Sequence, residues 1–370
     1  MALIAGHKRG LLVLILNCIF ATVFPPMSRA AENEPQDAGD RQAAKFIAYH
    51  ESTVQPLDIA VGRAWWTANT TGRDEDFAAK VEAQNQLDHA LADSQRFAEL
   101  KAIKAAKISD PTLRRQIDIL YLIYLEKQVD PDLLKRITST ANDIEKAFNV
   151  YRARVDDKQL VDSEVRKALK ESKDSARRQR IWEASKGVGR MVEADLKQLV
   201  LLRNEAARKL GFKDYHAMQL SLNEQSQDDV LKLFDNLDAL TREPFAAAKR
   251  EIDAKLSLNY GIDVDELRPW HYHDPFFQES PAIFSVNLDS VFGTADILKI
   301  CEKFYAGVGL PIEDVIARSD LYEKPGKSPH AFCTDIDRQG DVRVLANIVP
   351  NEYWMGTMLH ELGHSVYSSK

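Results

Sequence analysis

Two imidazoles and a carboxylate stand close to the end of the chain as His360-Glu361-Leu362-Gly363-His364. Residues four apart lie one helical turn above each other on the same face, so the two histidines can converge on one metal ion. Glu361 is rotated about 100° from His360, which turns its carboxylate towards a water rather than towards the ion, as a general base requires. This pattern on a helix is that of a zinc hydrolase, and it assigns His360 and His364 as metal ligands and Glu361 as the catalytic base.

The flanking residues supply the helix. Met355, Met358, Leu359, Leu362 and Val366 recur at three-to-four spacing and read as its core stripe. Gly356 and Gly363 lie beside the histidines, where a missing side chain lets a metal or a substrate backbone come close. Upstream the period changes to two: Phe332, Thr334 and Ile336, then Val342, Val344, Ala346 and Ile348, flank the turn-forming Asp337-Arg338-Gln339-Gly340-Asp341. An antiparallel hairpin is therefore expected immediately before the metal helix. One of its strands either offers backbone groups to an extended peptide or is simply buried.

Between Arg41 and Leu310 almost everything reads as helix. Asp110-Pro111 and Asp130-Pro131 each combine a capping acid with a proline in the first turn. A helix from Ser175 to Leu210 ends at Gly211, and the stripe Val230, Leu233, Phe234, Leu237 and Leu240 marks another, with Pro244 placed to kink it. His271-Tyr272-His273-Asp274 has the wrong spacing for one helical face and reads as a packed loop, and Trp65-Trp66 reads as interhelix packing.

In these segments the chain resembles the gluzincin zinc peptidases, specifically the angiotensin-converting-enzyme (peptidyl-dipeptidase) family and the related thimet oligopeptidase and oligoendopeptidase F group. The resemblance is carried by Thr357 to Tyr367 around the motif, by Leu321-Tyr322-Glu323-Lys324-Pro325 through Pro329-His330-Ala331-Phe332-Cys333, and by Asn204 to Phe212 followed by Tyr215. It implies a mainly α, two-lobed helical fold with a deep channel and a small β-hairpin beside the metal helix, acting on oligopeptides rather than folded proteins. It also implies that His330 and Ala331 contact substrate, although His330 reads equally as a residue capping the hairpin. The disulfide that the converting-enzyme family has around this hairpin is not carried over, because Cys333 has no cysteine near it. The third zinc ligand of gluzincins is a glutamate on the following helix; Lys370 precedes it, so the chain is expected to be incomplete at its C-terminus.

Residues 1–30 read as an export signal: Lys8 and Arg9 begin it, Leu11 to Phe24 form the apolar run, and Ser28-Arg29-Ala30 is a small-x-small cleavage site. Residues 31–40 read as a flexible lead-in, and 41–370 as one helical peptidase domain. The expected location is periplasmic or extracellular, with a membrane anchor if the apolar run is retained. A net charge of −7 with interspersed basic residues argues against a nucleic-acid partner. The readings that stand beside zinc-dependent oligopeptide hydrolysis are a non-catalytic helical binding protein and an inactive fragment.

Overall fold

The computed structural model describes residues 38–281, 283, 284 and 286–369. Its helices are α1 (Ala38–Tyr49), α2 (Gln55–Thr71), α3 (Asp74–Leu91), α4 (Ser94–Ala105), α5 (Pro111–Glu126), α6 (Pro131–Val150), α7 (Asp162–Glu171), α8 (Ser175–Lys209), α9 (Tyr215–Leu222), α10 (Gln227–Tyr260), α11 (Asp289–Phe292), α12 (Ile297–Gly307), α13 (Glu313–Arg318) and α14 (Glu352–Ser368). Two antiparallel hairpins interrupt them: β1 (Ala153–Val155) with β2 (Lys158–Leu160), and β3 (Phe332–Asp335) with β4 (Val342–Leu345). The chain is thus a mainly α fold.

Helix boundaries follow local chemistry. The Asp110 carboxylate accepts hydrogen bonds from the N–H groups of Thr112 and Leu113, and Asp130 does the same for Asp132 and Leu133, each ahead of a first-turn proline. α8 runs to Lys209 and gives way to Gly211 at φ +88°. α10 continues through Pro244 to Tyr260. α1 begins at Ala38, inside the stretch read as lead-in, because Asp40 is buried and accepts from the Ser109 N–H at 2.7 Å. The β1–β2 hairpin was not anticipated: its strands are three residues each, and Asp156 and Asp157 turn it in the left-handed region.

Two main cores result. Phe46, Leu100, Ile117 and Tyr124 tie α1, α4 and α5 together. Ile297, Cys301, Val342, Val344, Met358 and Leu362 gather α12, the β3–β4 hairpin and α14. Trp66 on α2 forms a smaller cluster with Ile336 and Leu345 of the hairpin region, and the ring of Phe332 lies 4.5 Å from that of Trp65. The paired tryptophans thus serve interelement packing. The α10 stripe, by contrast, faces solvent: Leu233, Phe234, Leu240 and Phe245 are exposed, and Leu256 is the helix's one buried residue among those described. Its hydrophobic period is that of a buried helix, but no described element covers that face.

The location inferred from the N-terminus requires correction. No helix among the described residues is long and apolar enough to cross a membrane. The run from Leu11 to Phe24 lies outside the described residues, as does the cleavage site, so the membrane-anchored, exported reading has no structural support.

Candidate metal centre

α14 begins where the Asn351 side chain accepts from the Trp354 N–H at 2.8 Å and Asp289 accepts from the Glu352 N–H at 2.9 Å. Its apolar stripe is covered: Met355, Met358 and Leu362 are buried, each large side chain contributing about 1.5–3 kcal/mol. α12 and the hairpin from the preceding sequence already provide its packing partners.

Burying that face presents the other one to solvent, with His360 and His364 exposed upon it. Their Nε2 atoms stand 3.0 Å apart and their rings are nearly perpendicular, at 84°. Two nitrogens at zinc-binding distance in a tetrahedron are separated by about 3.3 Å, so the pair fits two corners of such a site with little adjustment. Among the described residues there is no group of three or more His, Cys, Asp or Glu side chains gathered to hold a metal.

Glu361 lies on the inner side of the same turn and is 9% exposed. Burial pushes its carboxyl pKa up, against the opposing influence of His360, His364 and the backbone N–H of Cys333. Cys333 belongs to β3, paired with Val344 of β4. Because Ile336 donates to Asp341 across the hairpin, alternation along β3 turns Cys333 away from β4 and towards Glu361. β4 has both edges occupied, one by β3 and the other by Asp320, whose N–H donates to the Val344 carbonyl at 3.0 Å. The hairpin's outer edge among the described residues is therefore that of β3, which faces Glu361 and α14. The Cys333 thiol is pushed up to about 12, foremost by burial and also by Glu361.

His330 occupies a different environment. It stacks on Phe148 with centroids 5.2 Å apart and touches Phe276 at 5.7 Å. Burial lowers its pKa, with Asp162 opposing and Arg166 reinforcing. It lines a cavity of about 60 Å³ together with Phe148, Val165, Val188, Phe276 and Asp162. Ala331, next along the chain, packs on the core beneath α14. The structure thus brings His360, Glu361 and His364 onto one turn, and it sets His330 among aromatic rings on the approach to β3.

Arg166 escaped sequence reasoning. It donates to Asp162 at 2.8 Å and to Asp274 at 3.0 Å, and its guanidinium lies 4.8 Å from the ring centre of Tyr353 on α14. Three separate segments are thereby clamped beside the His330 cavity. The Asp162–Arg166 spacing of four was visible as a helical ion pair, whereas Asp274 was visible only as part of an aromatic loop. In that loop His271 is buried with Nε2 2.8 Å from the Ser175 hydroxyl, which is a packing role.

A family model described as angiotensin-converting enzyme, Peptidase_M2, matches residues 37–271, well over half of the chain. The chain belongs to the angiotensin-converting-enzyme family of peptidases. Membership makes it a metallopeptidase of that type. No curated protein matches it. The match ends at His271, so the roles of His330 and of the His360–His364 turn rest on chemistry and geometry rather than on the family alignment.

Proposed function

We propose that this member of the angiotensin-converting-enzyme family hydrolyses oligopeptides with zinc, using His360 and His364 as two ligands and Glu361 as general base. The observation that carries the reading is the 3.0 Å approach of the two Nε2 atoms with the half-turned, buried Glu361 between them in sequence. Zinc bound there supplies Lewis acidity, lowering the pKa of a water and polarising the scissile carbonyl.

The remaining work falls to the chain. Glu361 accepts the proton of the attacking water at its carboxylate and delivers it to the departing amine nitrogen. The outer edge of β3, which is not paired with another strand, would hold an extended peptide by its backbone, with the side chains free to vary. His330 and Ala331, leading into that strand, would contact the bound peptide, and the aromatic cavity at His330 suits an apolar side chain. Catalytic zinc sites use three protein ligands, and the families that the motif resembles take the third from a glutamate on a following helix, a group that the described residues do not include. The experiment is to measure zinc content after dialysis and cleavage of fluorogenic oligopeptides with free and with blocked C-termini. Zinc retention that His360→Ala abolishes is the expected result, and retention indifferent to both histidines would sink the reading. Dependence on a free C-terminus separates dipeptide removal from internal cleavage.

A further inference from the structure

Gly363 was expected to keep space beside the metal, but the group nearest to the space it leaves is a tyrosine of α12. A Cβ built there would lie 3.3 Å from the hydroxyl of Tyr305, tighter than ordinary contact. Tyr305, on α12, is 7% exposed, and its hydroxyl donates to the backbone carbonyl of Leu359 at 2.6 Å. Leu359 and Gly363 are one turn apart, so they share a face, and that face adjoins the one bearing His360 and His364. In a regular helix the Leu359 carbonyl also accepts from the Gly363 N–H, so Tyr305 adds a second donor at the peptide that leads into His360.

The consequence is mechanical. Met358 and Leu362 seat the helix on its core through apolar contacts, which are non-directional and tolerate small rotations about the helix axis. A short hydrogen bond to one carbonyl, reached over a residue with no side chain, is directional and restricts that rotation. Burial raises the Tyr305 pKa, so the phenol remains a donor over the neutral range.

We propose that Tyr305 is a positioning residue for the His360–Glu361–His364 turn, acting through the Leu359 carbonyl and dependent on glycine at position 363. This rests on the reading of His360 and His364 as metal ligands. Groups that orient ligands from behind typically matter 10- to 100-fold in metal affinity.

The test measures zinc dissociation constants of the full chain by competition with a chromophoric chelator, alongside the Tm in EDTA. The proteins compared are wild type, Tyr305→Phe, Gly363→Ala, the double variant, and His360→Ala as a control on the site itself. Tyr305→Phe retains the ring and is expected to weaken zinc about 10-fold with little change in the metal-free Tm. Gly363→Ala is expected to weaken it as well, because the methyl crowds the hydroxyl and forces it to shift against the Leu359 carbonyl. The double variant should bind no worse than Tyr305→Phe alone, since the methyl has room once the hydroxyl is gone, a rescue that a merely structural tyrosine would not produce. Unchanged affinity in Tyr305→Phe, or penalties that multiply in the double variant, while His360→Ala still loses the metal, refutes the role of Tyr305 and leaves the metal centre standing. Zinc binding that is absent in wild type or indifferent to His360→Ala removes the centre and the positioning role together.

Discussion

Lys327 and Asp320 form an ion pair of 2.8 Å with the lysine side chain 1% exposed. The same ammonium donates to the carbonyls of Asp320 and Tyr322 at 2.9 and 2.8 Å and to that of Ala346. It thereby locks the segment that pairs with β4, and through the hairpin it supports the strand beside Glu361. Lys327→Met leaves the carbonyls of Asp320, Tyr322 and Ala346 without this donor while the Asp320 carboxylate keeps Lys324 as a partner, so a loss of about 1–3 kcal/mol is expected. Urea unfolding of the two proteins measures it.

The same loop is seated by a contact between glycines. Gly326 has φ +79°, and a Cβ on it would stand 2.5 Å from the Thr71 carbonyl at the end of α2. Gly326→Ala therefore combines left-handed strain of about 1–3 kcal/mol with a backbone collision. A Tm unchanged within error would contradict the close approach of α2 to this loop.

Acid sensitivity should come from buried imidazoles. His273 is lowered to about 4 by burial first, reinforced by Arg178 and Lys170, while His50, His271 and His330 are also lowered. The unfolded chain binds these protons from about pH 6.5 downwards while the folded one resists. Stability is therefore full above pH 6.5 and declines as pH falls towards 4. His273→Asn, which suits the φ of +69° at this position, should flatten the dependence of the urea midpoint on pH between 4 and 7.

If Glu361 is the base, Glu361→Gln lowers kcat for oligopeptide hydrolysis by about 10²- to 10⁴-fold while zinc content stays as in wild type, because the amide keeps the shape and cannot take the proton. His360→Ala and His364→Ala lose the metal instead. Turnover and metal analysis on the same preparations separate the two effects, and undiminished turnover in the glutamine variant would place the chemistry elsewhere.

Much of the site was legible in the sequence because its parts are local. The approach of His360 to His364 follows from a spacing of four on a helix, the caps at Asp110 and Asp130 from a side chain and the N–H groups two and three residues on, and the β3–β4 pairing from a period of two around one turn. The β1–β2 hairpin was missed because three-residue strands are too short to show a period. Other features depend on segments far apart in the chain. Arg166 meets Asp274 across 108 residues, and Tyr305 meets Leu359 across 54. The stripes of α10 and α14 have the same helical signature, yet one is exposed and the other buried. Hydrophobic periodicity states which face of a helix is apolar, since that depends only on residue order and the turn of the backbone. Whether anything covers that face, and which distant hydroxyl or guanidinium reaches a given turn, is decided by how the elements pack.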